Sequence, residues 1–173
     1  MRWILKQGNI IDEPADVLIC SANVSLNLSG GVGAELLSRY GTAQQDYLHT
    51  LITTRSPRYA KQGEIFSYES TDIPYRAILH AVAVDAWYQS SSKTIEQVVE
   101  RALRMASTYD ARKVALTALA TGFGNLSVEE FAKGVRPLLV MTIPSIQEIV
   151  IALIEESRLT ELARFLPEAT VIN

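Results

Sequence analysis

The sequence contains a single cysteine, Cys20, in 173 residues. A disulfide framework within the chain is therefore excluded, and a reducing compartment, the cytoplasm, is the simplest location to expect. Only two histidines are present, His49 and His80, and neither has metal-ligand spacing with the other or with Cys20. We therefore expect neither a metal nor a cofactor.

Long apolar runs are also missing. The longest uninterrupted run, Ile149–Ile154, is far shorter than the roughly 20 residues that a membrane helix needs. The apolar stretch at the N-terminus is broken by Arg2 and Lys6, too early for the apolar region of a signal peptide. We therefore expect no membrane partner.

Positive charge is not in excess. The chain has 16 Lys and Arg residues against 19 Asp and Glu residues, a net charge of −3 at pH 7. A domain that binds nucleic acid over a broad face is usually basic, so general nucleic-acid binding is disfavoured. A small anionic ligand stays open, because backbone amides bind anions without any side-chain charge.

The remaining composition is that of a globular protein, with 48% apolar and 20% charged residues. The length fits one domain over residues 1–173, with no repeat and no linker. Short apolar runs, several of them continuous rather than alternating, predict strands buried on both faces of a sheet. These runs are Trp3–Leu5, Val17–Cys20, Ile65–Tyr68, Ala77–Val84, Val114–Leu119 and Ile149–Ile154.

Amphipathic segments lie between the apolar runs. Capping boxes predict helices that start at Thr42, Thr94 and Ser127, with a last helix from Ser157 to Phe165. Pro137 is expected to divide the helix that Ser127 opens, and Gly41 to end a short helix before Thr42. Strands that alternate with helices of this length predict an α/β domain with a largely parallel sheet.

Two glycine-rich segments, Ser29–Gly33 and Thr121–Asn125, each follow a predicted strand and precede a predicted helix. In a parallel sheet both would emerge at the carboxyl ends of the strands, where open α/β folds bind ligands. Glycine lets successive N–H groups converge on an anion, and each helix adds its positive dipole end. The pair therefore predicts a site for a phosphate, or more naturally a diphosphate. The alternative is that the glycines only serve turns, and neither segment has a dinucleotide-binding or P-loop fingerprint.

The order of the motifs resembles the macro domain family from Gly8 to Glu155. Residues 8–11 (G-N-I-I) are similar to the family's G-D-I-T, residues 15–23 to a-D-a-I-V-N-A-A-N, and residues 28–34 to L-x-G-G-G-V. Residues 79–82 resemble the H-x-V strand, and residues 120–124 resemble the second phosphate loop, S-x-G-I-Y-G, shortened by one residue.

The resemblance implies a three-layer α/β/α sandwich around a mixed, mostly parallel six-stranded sheet. It also implies a cleft for ADP-ribose, or for a protein or metabolite that carries it, with the diphosphate between the two glycine segments. Asn23 would reach the distal ribose, and the Phe123 ring would pack on that ribose. The ligand-binding residues that it implies are Asn9, Ile10, Ser21, Ala22, Asn23, Ser29, Gly30, Gly31, Val32, Gly33, Ala120, Thr121, Gly122, Phe123, Gly124, Asn125 and Ile154.

Four positions depart from the family pattern. Asn9 replaces the aspartate that accepts a hydrogen bond from the adenine amino group, and a neutral acceptor forms the weaker bond. We place the first asparagine of N-A-A-N at Ser21. Gly33 replaces the aspartate with which many hydrolases of the family activate or orient water. Ile154 stands where an aromatic residue often stacks on adenine.

Three functions follow for comparison. The leading hypothesis is an ADP-ribose binding module. The second is a slow hydrolase that removes an acyl, phosphoryl or protein side-chain group from ADP-ribose, with Asn23 and a phosphate-bound water as its catalytic groups. The third is nucleic-acid binding, for example of poly(A) or poly(ADP-ribose). The acidic net charge argues against a general grip on the backbone, but a polymer end held in the same cleft remains compatible. Two other features have two interpretations each. The basic segment Arg55–Lys61 is either a solvated loop or a segment that steers a charged ligand, and Trp87 and Tyr88 either rim the cleft or pack under a loop. The sequence does not indicate the oligomeric state.

Overall fold

One seven-stranded sheet organises the computed structural model, which describes residues 1–172. The strand order is β3-β4-β2-β5-β6-β1-β7, and every neighbouring pair is parallel except β3–β4. The strands are β1 Arg2–Gln7, β2 Val17–Ala22, β3 Ile65–Tyr68, β4 Ala77–Val82, β5 Lys113–Leu116, β6 Glu148–Leu153 and β7 Thr170–Ile172.

Helices cover both faces of the sheet. One core cluster joins α3, α4 and α5 to one face, and two further clusters join α1, α2 and a 3-10 turn to the other. The elements are α1 Gly31–Tyr40, α2 Ala43–Thr53, α3 Ser92–Ser107, α4 Val128–Val135 and α5 Glu156–Phe165, with 3-10 turns at Ile10–Asp12 and Arg136–Val140. The predicted three-layer, mostly parallel α/β/α architecture is confirmed.

The sheet has one strand more than expected. All six predicted runs form strands, but β7 adds a seventh beside β1, with Leu5 opposite Val171. The three residues of β7 are exposed, so they lack the buried apolar pattern that marks the other strands. Three residues are also too few for any period to be read.

Helix starts were predicted with mixed success. Ser127 is the N-cap of α4, and its side chain accepts from the Glu130 N–H at 3.1 Å. The cap predicted at Thr94 is wrong, because Ser91 caps α3 and accepts from the Thr94 N–H. Thr42 precedes α2 at the predicted place, but its side chain makes no capping bond.

The helix ends predicted at Pro137 and Gly41 are confirmed. α4 ends at Val135, and the chain continues through Pro137 as a 3-10 turn. Gly41 ends α1 with φ of 77° and donates its N–H to the Leu37 carbonyl. Across residues 1–172, no helix combines the length and the apolar character needed to cross a membrane.

Candidate functional site

The two glycine-rich segments meet at one edge of the sheet. Glycine loop 1 (Ser29–Gly33) follows β2 and glycine loop 2 (Thr121–Asn125) follows β5, and these neighbouring strands run parallel. The Phe123 ring lies directly against Gly30, where an added Cβ would stand 2.1 Å from the ring atom Cε2. The Phe123 ring occupies the position that a side chain on residue 30 would take, so the two loops are in contact at Gly30.

Glycine loop 1 presents free backbone donors. Gly30 is the N-cap of α1 with φ of 72°, and it has no side chain to cap the helix. The first helical turn, Gly31 to Gly33, has no intrahelical acceptor for its N–H groups, and no other acceptor for them occurs within residues 1–172. Together with the positive end of the helix dipole, these N–H groups form a site for an anion.

Glycine loop 2 is held in an unusual backbone shape. Ala120, which precedes the loop, has φ of 63° although it carries a side chain, a conformation that costs energy and often marks a functional site. The turn is so tight that a Cβ on Gly124 would lie 2.2 Å from the Ala120 carbonyl oxygen. A side chain from α5 fixes the loop further, because Arg158 donates to the Thr121 carbonyl at 2.9 Å.

Two predicted site residues support these loops. Ser21 is exposed at the end of β2, and its Oγ accepts from the Ala120 N–H at 3.4 Å. The Asn125 N–H donates to the Tyr88 carbonyl at 3.2 Å, which joins loop 2 to the turn that carries Trp87. Asp85 accepts from two N–H groups of that turn, and Trp87 projects from it with 78% of its surface exposed.

Asn23 is largely occupied by its own loop. Its Oδ1 accepts from the N–H groups of Ser25 and Asn27 at 3.0 and 3.2 Å, and its Nδ2 donates to the Asn27 carbonyl at 3.1 Å. His49 holds the same loop from α2, with Nε2 2.8 Å from Asn27 Oδ1. One Nδ2 hydrogen of Asn23 is left for a ligand, so its contact with a ribose stays a prediction.

Asn9 caps the first 3-10 turn instead of standing free. Its Oδ1 accepts from the Ile11 N–H at 3.1 Å, and its Nδ2 donates to Glu35 Oε1 at 2.5 Å. Arg39 joins the same carboxylate to Asp12, and these hydrogen bonds, the one to Asp12 foremost, raise the pKa of the Arg39 guanidinium. Glu35 was missed in the sequence, and its only signal is its place one turn into the helix after loop 1.

The departure at Gly33 has a structural explanation, whereas the departure assigned to Ser21 belongs to Cys20. A Cβ on Gly33 would lie 3.1 Å from the Leu28 Cα, so an aspartate there would need the Leu28 backbone to move slightly. The placement of the family's first asparagine at Ser21 is wrong, because counting back from Asn23 puts it at Cys20. Cys20 is buried, with its Sγ 3.3 Å from Nδ1 of His80.

Cys20 and His80 belong to the core. Burial raises the pKa of the Cys20 thiol to about 12 and lowers the pKa of His80 to about 3. The thiol is therefore protonated and the imidazole neutral at pH 7, and the buried Gln44 amide contacts the other ring nitrogen. No group of three His, Cys, Asp or Glu residues within 1–172 is placed to hold a metal ion.

The other predicted residues divide by exposure. Ile154, which follows β6, has 69% of its surface exposed and can pack on a ligand, whereas the Ile10 and Ala22 side chains are buried.

A cavity of about 720 Å³ lies elsewhere, away from both glycine loops. It is lined by Met1, Arg2, Trp3, Lys133, Arg136, Pro137, Leu139, Val140 and Glu168.

Comparison with known proteins finds relatives in sequence and similar folds among solved structures. A macro domain protein of Streptomyces griseus is 29% identical over 150 residues, covering 84% of this chain and 83% of the relative. One from Streptomyces nogalater is 26% identical, covering 95% and 92%. The Oceanobacillus iheyensis macrodomain crystallised with ADP superposes with a TM-score of 0.80 at 18% identity, covering 93% of this chain and 87% of that one. The Trypanosoma brucei macrodomain in complex with ADP-ribose gives 0.75 at 17% identity, covering 93% and 68%.

The sequence model of the macro domain matches residues 19–135, which is more than half of the chain and includes both glycine loops. The chain therefore belongs to the macro domain family.

Proposed function

We propose that the protein binds ADP-ribose, free or attached to another molecule, in the cleft between the two glycine loops. The observation that carries this proposal is the contact between Phe123 and Gly30, which brings loop 2 against the start of α1, where the backbone N–H groups are free. Related macrodomains crystallised with ADP and ADP-ribose support the choice of ligand.

The chemistry of the cleft suits a diphosphate with a group at each end. The N–H groups of the first turn of α1 bind phosphate oxygens, and the positive end of the helix dipole strengthens this binding. Asn23 follows β2 and has one amide hydrogen left to donate to a hydroxyl. Ile154 follows β6, on the other side of β5 in the sheet, and offers apolar surface to a base.

Calorimetric titration with free ADP-ribose tests the proposal, and Gly30→Ala is the informative variant. The new methyl group collides with the outer atoms of the Phe123 ring, and this exposed side chain must turn away to relieve the collision. The contact between the two loops is then lost, so we expect affinity to fall about tenfold or more. Gly63→Ala is the matched control, since Gly63 also has a positive φ, of 93°, but lies outside both loops. It loses a similar free energy of unfolding, about 1–2 kcal/mol, and keeps its affinity.

Two results would contradict the proposal. One is the absence of heat from the wild-type protein at millimolar ADP-ribose. The other is an equal loss of affinity in both glycine variants, which would make the loop contact irrelevant to binding.

Hydrolysis of ADP-ribose derivatives is not supported by a comparable observation. Gly33 supplies no acid, and Cys20 and His80 are buried in unreactive forms. Assays for release of acetate, phosphate or ADP-ribose separate the two functions, and we expect binding without turnover. An ADP-ribosylated protein as partner, and the cytoplasm as location, stay predictions.

A further inference from the structure

Glu35 places a carboxylate beside the proposed cleft. It lies four residues into α1 from Gly31, or about 6 Å along the helix axis from the anion-binding turn. Its side chain is 31% exposed and is held from two sides, by Asn9 and by Arg39. A carboxylate fixed in this way has little freedom left, so its free oxygen keeps one position.

The two contacts leave half of the carboxylate unused. Asn9 Nδ2 and Arg39 both donate to Oε1, each at 2.5 Å, and Oε2 accepts no hydrogen bond within residues 1–172. An ionised carboxylate only accepts hydrogen bonds. A ligand group that meets Oε2 must therefore donate, as an amino group does.

Asn9 cannot perform the same task as well. Its amide nitrogen donates to Glu35, and its oxygen already accepts from the Ile11 N–H. Glu35 is the one acidic residue of α1 and is the charged group that Asn9 contacts. Hydrogen bonds to a charged acceptor are roughly twice as strong as neutral ones.

Apolar surface stands next to this pair. Ile154 follows the last residue of β6, and the Gly8 N–H donates to the Leu153 carbonyl at 3.0 Å, so Ile154 is adjacent to the Gly8–Asn9 turn. The exposed Ile154 side chain offers a flat heteroaromatic ring a surface to pack on. A carboxylate beside an apolar surface is suited to an amino-bearing base.

We propose that Glu35 determines the specificity of the cleft for its base, by accepting a hydrogen bond at Oε2 from an exocyclic amino group. The inference rests on the proposed function and adds the residue that selects the base. It assigns to Glu35 the contact that the family resemblance implies for position 9.

The test compares ADP-ribose with inosine diphosphate ribose, in which an oxo group replaces the amino group. We expect the wild-type protein to prefer ADP-ribose about tenfold or more, because an oxo group meets the carboxylate with an acceptor and leaves it unpaired. Glu35→Gln retains an oxygen for the Asn9 amide but also offers a donor to the oxo group. We expect it to bring the two affinities together while thermal unfolding changes little.

A charge swap supplies the rescue. The double variant Asn9→Asp with Glu35→Gln moves the carboxylate across the same hydrogen bond, and Asp is as good a cap as Asn. We expect it to prefer ADP-ribose again, which a merely structural brace would not do.

The outcomes separate the two proposals. A wild-type protein that binds both ligands equally, or a Glu35→Gln variant that keeps the full preference, overturns the role of Glu35 and leaves ADP-ribose binding standing. A wild-type protein that binds neither ligand at millimolar concentration overturns both.

Discussion

At the scale of single residues, Gly33 shows how a neighbouring backbone segment restricts a side chain. A Cβ there would lie 3.1 Å from the Leu28 Cα and 3.2 Å from its carbonyl carbon. Leu28 cannot easily withdraw, because its N–H donates to Gln45 Oε1 at 2.6 Å. We therefore expect Gly33→Ala to lower the free energy of unfolding by about 1 kcal/mol, against the usual gain from alanine in a helix, as measured by urea denaturation.

Gln45→Ala provides the partner for a double-mutant cycle. Without the Gln45 side chain the Leu28 segment can retreat, so Gly33→Ala should cost less in that background than in the wild-type chain. A stabilised Gly33→Ala protein, or strictly additive effects, would show that Leu28 does not confine position 33.

Residue types with strong local preferences were the predictable part of the site. Glycine density marked both loops, and the apolar runs marked the strands that lead into them. The contact of Asn9 with Glu35 joins positions 26 residues apart, and no local pattern reports such a pairing. The same limit applies to Phe123 on Gly30, which depends on how two loops distant in the chain meet.

At the scale of secondary-structure elements, Gly134 sets the distance between α3 and α4. A Cβ on Gly134 would lie 2.6 Å from the Ser92 carbonyl oxygen and 2.7 Å from the Ile95 Cβ. We expect Gly134→Ala to destabilise the protein by about 1–3 kcal/mol, because overpacking outweighs the roughly 1 kcal/mol gain in helix propensity. Urea denaturation measures the difference.

Lys133→Ala is the control on the same helix. Lys133 is exposed and makes only surface ion pairs with Glu129 and Glu130, so its loss should change stability by less than about 1 kcal/mol. A Gly134→Ala protein as stable as this control would mean that α3 and α4 separate without cost.

Elements were predicted best where burial leaves a pattern. Six strands followed from their apolar runs, whereas β7 is exposed and escaped notice. The α3 start was misplaced because residues 90–94 offer several capping side chains in succession. The hydrogen bond to Ser91 shows that Thr94 already lies within the first turn.

At the scale of the whole molecule, net charge proves a poor guide to the site. The value of −3 disfavours a broad anionic partner. The donors at the start of α1 are backbone amides, whose number does not depend on side-chain composition. A negative net charge therefore argues against an anionic partner that binds a broad face, but not against an anion bound in a narrow cleft.

The stability of the whole domain should depend on pH through His80. Burial holds the pKa of folded His80 at about 3, below the ordinary 6.5, so the unfolded chain takes up a proton first as the pH falls. The contribution of His80 to the free energy of unfolding is therefore at its maximum above pH 6.5. It falls by about 1.4 kcal/mol per pH unit as the pH decreases from 6.5 toward 3. Between pH 7 and pH 5 we expect the free energy of unfolding to fall by about 2 kcal/mol.

The carboxylates whose pKa values are lowered in the fold do not contribute to the change between pH 7 and pH 5. The pKa values of Glu13 and Asp16 are lowered in the fold despite the opposing effect of burial, through bonds to Lys113 above all, and the pKa of Glu64 is lowered chiefly by Arg55. Their stabilisation is therefore lost only at lower pH, through the acid range of carboxyl groups.

Urea denaturation at pH 7 and pH 5, at constant ionic strength, measures the dependence, with two histidine variants for comparison. His80→Gln removes the buried titrating group and should give nearly equal stabilities at the two pH values, although both are lower than for the wild type at pH 7. His49→Gln alters a partly exposed histidine on α2 and should keep the wild-type decrease. If His80→Gln retains the decrease and His49→Gln removes it, the buried imidazole is not the group that makes this fold sensitive to mild acid.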